Sequence, residues 1–212
     1  MATGAKEGKL IQYLNEAYGK EKELETSLQA HISLATRATY RKRLQQHLQE
    51  TKRHGREVER RIKQLGGDGA PDLAATLQAT ASRAVALAQG PLHAVRGTGE
   101  AERQLKNAKT EYADEAEEIA TYTAIEALAE SVGDKDTAKL AREIRREEQR
   151  MGRFLEGQIP QLTRAVAQAE IPASERRTTR RRSSRRRTSR RGAGNGSGSR
   201  AGSRRSASTR SR

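Results

Sequence analysis

Long proline-free runs with apolar side chains at steps of three and four constrain this chain more than any other feature. Across residues 6–37 the apolar positions are Leu10, Leu14, Ala17, Leu24 and Leu28. That spacing lines one face of an α-helix. A second run, residues 39–65, carries Leu44, Leu48, Val58, Ile62 and Leu65, then stops at Gly66 and Gly67 with Pro71 beyond, the usual helix stop. Pro71 is placed to open a third, Ala-rich helix reaching about Ala88. Another long run spans about Glu100 to Val132, where Gly133 reads as a C-cap and Asp134 as the N-cap of the next helix. That last helix is predicted from Asp134 to about Ile159, with Pro160 expected to kink or end it and a short amphipathic piece, Gln161 to Ala169, following. No run alternates as a strand would. The expected class is all-α: an antiparallel four-helix bundle of elements roughly 40 to 48 Å long at about 1.5 Å per residue, with an extra short connecting helix.

Charge divides the same chain in two. From Ile171 onward there are 15 Arg, no Lys and one acid, Glu175, whereas residues 1–170 are nearly balanced, so almost all of the net charge of +15 sits at the C-terminal end. The expected domains are therefore a helical bundle, 1–170, and a disordered Arg/Ser-rich tail, 171–212, too poor in apolar side chains to offset its chain entropy. With Cys and Trp absent and one Phe, disulfides, Cys-ligated zinc and thiol catalysis are excluded. The core must come from Leu, Ile, Val and Ala. There is no P-loop and no Gly-x-Ser-x-Gly elbow. No apolar stretch is long enough for a membrane helix, and the MATGAKEGKL start lacks a signal-peptide core, so a cytoplasmic protein without membrane contact is expected.

Acidic residues interrupt the apolar rows. Glu21 fills the gap between Ala17 and Leu24. Glu115 and Glu118 begin the row that continues through Tyr122, Ile125, Ala129 and Val132. In the last helix Leu140, Ile144, Met151 and Leu155 bracket Glu147 and Glu148, one of which must lie near the stripe. His54 stands between Leu48 and Val58, with His47 and Glu50 beside it. Burying several carboxylates costs several kcal/mol per charge unless something compensates, and two dications would do so. Glu and His contributed by four helices is the donor set of a di-iron or di-manganese carboxylate layer. Glu23, Glu25 and Glu126 fall off the rows and read as solvated, His31 and His93 as surface or loop residues, and Tyr18 and Tyr122 as core or boundary packing residues, with hydrogen bonds to ligands or a place near a redox centre as the alternative.

The segments EAYGKEKEL (16–24), HLQETKRH (47–54), EAEEIATY (115–122) and LAESVG (128–133) resemble the YciE/YciF group of stress-associated ferritin-like proteins, over about Lys9 to Phe154. The resemblance implies a ferritin-like bundle, assembled as a homodimer, around a site for two iron or manganese ions. By position it implies Glu21, Glu50, His54, Glu115, Glu118 and Glu147 as ligands. The chain departs from the group at Ala116, Arg146 and Gly152, and Glu50 and His54 are four apart where Glu-x-x-His is the commoner di-iron spacing.

The tail holds a dense arginine block comprising Arg176, Arg177, Arg180, Arg181, Arg182, Arg185, Arg186, Arg187, Arg190 and Arg191. Guanidinium forks suit phosphate, and without interleaved aromatics there is no base stacking, so the expected partner is DNA or RNA bound without regard to sequence. Joined to the bundle, this suggests a protein that consumes Fe(II) and peroxide beside nucleic acid, as a ferroxidase or peroxidase-like enzyme. The competing expectation is a nucleoid-associated structural protein whose bundle is only a dimerisation scaffold. If 6 to 10 phosphates are engaged, the affinity of the full chain for duplex DNA should fall by on the order of 10³ to 10⁵ between 50 and 200 mM salt. Fluorescence anisotropy titrations check this, and salt-insensitive binding would contradict it.

Overall fold

The three-and-four spacing is carried through to burial in four helices of a computed structural model that describes residues 4–67 and 99–176. They are α1 (Ala5–Leu34), α2 (Ala38–Gln64), α3 (Glu100–Ser131) and α4 (Lys135–Glu170). Among the described residues there is no strand. The connecting helix expected over Pro71 to Ala88, His93, and the tail arginines from Arg177 onward lie outside the described residues. The chain divides into two units, Met1–Pro172 and Ala173–Arg212, and all four helices belong to the first.

Each helix buries one row. In α1 it is Leu10, Leu14, Ala17, Glu21, Leu24 and Leu28, and in α2 Tyr40, Leu44, His47, Thr51, His54, Val58 and Ile62. In α3 the row is Gln104, Ala108, Glu111, Glu115, Glu118, Tyr122, Ile125 and Ala129. In α4 it runs through Ala141, Ile144, Glu148, Met151 and Leu155 to Leu162. One apolar cluster gathers Leu24, Leu28, Tyr40, Leu44, Met151, Leu155 and Leu162. A second gathers Leu14, Ala17, Val58, Ile62, Tyr122, Ile125 and Ile144. Most polar members of the rows, namely Glu21, His47, Thr51, His54, Glu115, Glu118 and Glu148, fall between the two clusters, whereas Glu111 bonds Tyr40 of the first cluster and Gln104 lies at the end of the bundle.

Cross-helix contacts define the topology. Gln104 donates to the Leu34 carbonyl at 2.5 Å and Tyr122 donates to Glu21 at 2.5 Å, so α1 and α3 run antiparallel. Tyr40 stacks on Phe154 with ring centroids 6.3 Å apart, and Arg61 pairs with Asp134 at 2.7 Å, so α2 and α4 do too. The hairpins α1–α2 and α3–α4 are each antiparallel. Gly67 lies beside Ile11 at one end of the bundle and Gly99 beside Glu170 at the other. The second helix thus finishes and the third begins at opposite ends of the bundle, the placement found in ferritin-like four-helix bundles.

Local chemistry sets the helix ends. Gly133 takes φ +76° after α3, a left-handed conformation that a Cβ would strain. Asp134 then caps α4, accepting from the Thr137 amide at 3.0 Å. Arg61 clamps this cap from α2, holding both Asp134 oxygens at 2.7 Å and donating to Thr137 Oγ1 at 2.8 Å.

Of the two outcomes expected at Pro160, a kink or an end, the end is excluded: the amphipathic piece Gln161 to Ala169 carries α4 on to Glu170 with Pro160 inside it. The proline ring faces solvent, so the carbonyl it leaves without a partner is on the wet side. Leu155 and Leu162, both in the core, hold the helix on either side.

Asp134→Ala removes both the cap and the Arg61 clamp and should destabilise the bundle by about 1 to 2 kcal/mol. Asp136→Ala, whose side chain is 85% exposed, should leave stability unchanged. Thermal unfolding of the two variants distinguishes them.

Candidate metal centre

The polar layer draws from all four helices. Glu21 comes from α1, His47 and His54 from α2, Glu115 and Glu118 from α3, and Glu148 from α4, each at most 1% exposed. Seven residues separate His47 from His54, two turns along one helix face, so their imidazoles enter the layer at two levels. Glu115 and Glu118, less than one turn apart on α3, both fall with His47. These side chains form two groups that could each hold a cation, one of His47, Glu115, Glu118 and Glu148, the other of Glu21, His54 and Glu148. Glu148 is common to both. Within each group one donor atom per residue lies within 4.8 Å of all the others.

Inside the layer the donors approach one another closely. His47 Nε2 is 2.8 Å from Glu115 Oε1 and 3.6 Å from Glu148 Oε2. His54 Nδ1 is 2.8 Å from Glu148 Oε1 and 3.6 Å from Glu21 Oε1. Yet both oxygens of Glu115, Glu118 and Glu148, one oxygen of Glu21, and the core-facing nitrogens of both histidines make no hydrogen bond. Buried polar atoms are ordinarily satisfied. Carboxylate oxygens and imidazole nitrogens left this way, and converging on two points, fit a pair of divalent cations.

Outward from the layer each imidazole is held by a carboxylate. His47 Nδ1 meets Glu50 at 3.2 Å, and Arg43 in turn holds Glu50 at 2.9 Å. His54 Nε2 meets Glu147 at 3.0 Å, and Arg53 bonds Glu147. A carboxylate on the far ring nitrogen fixes tautomer and ring direction and raises ligand basicity.

Electrostatics follow from this crowding. Burial raises Glu118 well above the ordinary carboxylate range, and Glu21, Glu148 and Glu115 push it further. Burial raises Glu115 to about 8, against the pull of His47. Burial alone would lower the imidazoles, but Glu115 and Glu50 hold His47 up at about 10, and Glu148 and Glu21 hold His54 up at about 11. Burial also opposes ionisation of Glu148, yet the two histidines lower it overall. Without cations, protons compensate the layer.

Of the residues expected as ligands, Glu21, His54, Glu115 and Glu118 come together in the layer, while Glu50 and Glu147 stand at its rim against the histidines. The α4 carboxylate inside the layer is Glu148. Its position was legible, since steps of three and four from Ala141 and Ile144 reach Glu148, then Met151 and Leu155. His47 was also legible, on the row Leu44, His47, Thr51, His54, Val58 that a path through Leu48 bypasses. Tyr122 fills both roles open to it, packed in the core and donating its hydroxyl to the candidate ligand Glu21.

A further buried carboxylate went unread. Glu111, one turn before Glu115, is fully buried, accepts from Tyr40 at 2.6 Å and faces His31 Nδ1 at 2.8 Å. His31 is thus no surface residue; its side chain is 15% exposed and turned toward Glu111. Extending the α3 row backward from Glu115 would have found Glu111.

Residues 6–168 match the model of a domain family of unknown function, DUF892. No curated protein matches the chain. Among solved structures, a protein from Xanthomonas campestris pv. campestris is similar at 24% identity and a TM-score of 0.63, over 80% of this chain and 100% of that one. YcfI from Rhodopseudomonas palustris is similar at 22% identity and a TM-score of 0.56, over 73% of this chain and 94% of that one. At these identities the likeness is one of fold.

The metal-free bundle should lose stability as pH rises from about 6 to 10. Above the ordinary values of 4.5 and 6.5 the unfolded chain has released protons that folded Glu115 and His47 retain up to about 8 and about 10, and stability falls with pH wherever the native state binds more protons. At the acid end Glu50, held down at about 2 by His47 and Arg43 against the opposing effect of burial, withdraws its contribution as pH falls below its ordinary value. Melting temperatures of chelator-treated protein across this range check the prediction; a flat profile from pH 6 to 10 would contradict it.

Proposed function

This chain belongs to the DUF892 family, and from that membership and the geometry of its mid-bundle layer we propose that it is a ferritin-like di-metal carboxylate protein of the YciE/YciF type. In this reading it takes up two iron or manganese ions and serves the stress response by consuming Fe(II) and peroxide. The observation that carries the reading is the layer of four carboxylates and two histidines, fully buried, whose inward atoms lack hydrogen-bond partners. Four ionised carboxylates and two neutral imidazoles would balance two dications without residual charge.

His47, Glu115, Glu118 and Glu148 would hold one ion and Glu21, His54 and Glu148 the other, with Glu148 between them. When bound, the metal supplies one-electron redox chemistry, so that two Fe(II) give up the two electrons that reduce one peroxide to two waters as two protons are consumed. The residues' own work is positional and protonic. Glu50 and Glu147 aim the imidazoles. Tyr122 keeps its proton, its pKa raised well above the phenolic value by burial and by Glu21 and Glu118, and so orients Glu21 as a donor. Glu115, Glu118, His47 and His54 would give up their protons to act as ligands. The apolar clusters on both sides keep water from the layer.

The tail completes the proposal. Its arginines would hold the bundle against DNA or RNA, and two bundles would pair as a homodimer in a cytoplasmic, nucleoid-associated setting. Fe(II) oxidised inside a carboxylate layer is withheld from radical chemistry at the duplex.

Full-length protein titrated anaerobically with Fe(II) should bind about two ions per chain, as the two donor groups imply, and oxidise them on addition of peroxide. Glu118→Gln and Glu148→Gln should abolish both effects; in the metal-free protein Glu118→Gln, which replaces a carboxyl that already holds its proton, should leave the melting temperature nearly unchanged, whereas Glu148→Gln, which takes the shared carboxylate from His47 and His54, should lower it. Failure of the wild-type chain to bind metal would instead leave the bundle as a scaffold for the tail.

A further inference from the structure

A cavity of about 270 Å³ opens on the α2–α4 face and is lined by Arg53, His54, Glu57, Glu143, Ile144, Arg146, Glu147 and Arg150. At its inner end stands His54, which is 1% exposed. The two ring nitrogens of His54 face different places. Nε2 meets Glu147 of the cavity at 3.0 Å, while Nδ1 lies 2.8 Å from Glu148, the carboxylate common to both donor groups. A single imidazole therefore separates the cavity from the layer.

Arg53 blocks the approach. Its guanidinium bonds Glu147 and lies 3.3 Å from His54 Nε2, so it occupies the two donors that an incoming cation would meet, and it puts a positive charge there. The side chain is nonetheless 43% exposed, and its other edge is 3.8 Å from Glu57, one turn along α2. An ion pair this exposed is worth at most about 1 kcal/mol, so the arginine can swing out and remain near Glu57. With it displaced, Glu147, Glu57 and Glu143 outnumber the remaining arginines of the lining, Arg146 and Arg150, by one charge, with Arg150 still 3.5 Å from Glu147 Oε1 and His54 beyond them. The balance of charge then turns from neutral to negative, which favours a cation over an anion.

We propose that this cavity is the entry port for divalent metal ions, that Arg53 is its gate, and that Glu147 and His54 form the transient site at which a cation pauses before reaching the buried layer. This rests on the metal-binding reading given above and adds the route of uptake. Arg53 and Glu147 act on the rate of loading, and His54, with Nε2 toward the cavity and Nδ1 toward the layer, stands between the two.

The test is stopped-flow mixing of full-length, chelator-treated protein with Co(II), followed by the visible absorption of bound cobalt. Arg53→Ala should take up Co(II) faster, on the order of fivefold, the factor that a partly exposed ion pair can supply, and reach the same final spectrum as wild type. Arg56→Ala, which removes an exposed positive charge from the same helix, should load at the wild-type rate. Glu147→Gln should load more slowly even though it frees Arg53. Equal rates for wild type, Arg53→Ala and Glu147→Gln would overturn the port, as would equal acceleration by Arg53→Ala and Arg56→Ala, which would mean that general charge alone sets the rate. Absence of a bound-cobalt spectrum in every protein, wild type included, would overturn the metal-binding reading itself and the port with it.

Discussion

Four carboxylates share one layer at the centre of a helical bundle, and the rest of the structure answers to that constraint. Each buried charge would cost several kcal/mol on its own. Glu21, Glu115, Glu118 and Glu148 are all at most 1% exposed, with only His47 and His54 to oppose them. The metal-free bundle manages by keeping protons on Glu115 and Glu118 and by protonating both histidines. Two dications would do the same with every carboxylate ionised and both imidazoles neutral. The apolar clusters above and below confine the layer, which gives its electrostatics their strength and sets the cost of leaving it uncompensated.

Positioning is shared between the layer and its rim. The rim carboxylates Glu50 and Glu147 meet the outer ring nitrogens of the two histidines, and each is tied to an arginine of α2, Arg43 or Arg53. The two sides then differ. Behind Glu147 lies the open cavity, so one rim pair orients a histidine while also standing between solvent and the layer. A fifth buried carboxylate, Glu111, with Tyr40 and His31, extends the polar rows one turn beyond the layer.

Much of this was legible in the sequence because helix periodicity and burial are nearly the same information. The stepping of Leu10, Leu14, Ala17, Leu24 and Leu28 locates Glu21 inside without any fold in hand, and Glu115 and Glu118 follow from Tyr122 and Ile125. Choosing between adjacent residues was harder. Glu147 and Glu148 differ by one position, about a quarter turn, and likeness to relatives pointed to Glu147 where the α4 row itself leads to Glu148. Glu111 and His31 were missed because each has little meaning alone; the contact between them depends on how α1 packs on α3. The choice between a kink and an end at Pro160 was open for a related reason, since a proline's effect depends on whether the carbonyl it frees faces water.

The account stands or falls on whether the layer holds two ions and on which carboxylate lies between them. Anomalous diffraction from crystals of the full chain grown with Mn(II) addresses both. The account predicts two peaks per chain, one among His47, Glu115, Glu118 and Glu148 and the other against Glu21 and His54, with the Glu148 carboxylate between them. A layer without peaks, or peaks ligated by Glu50 and Glu147 with Glu148 unengaged, would contradict it.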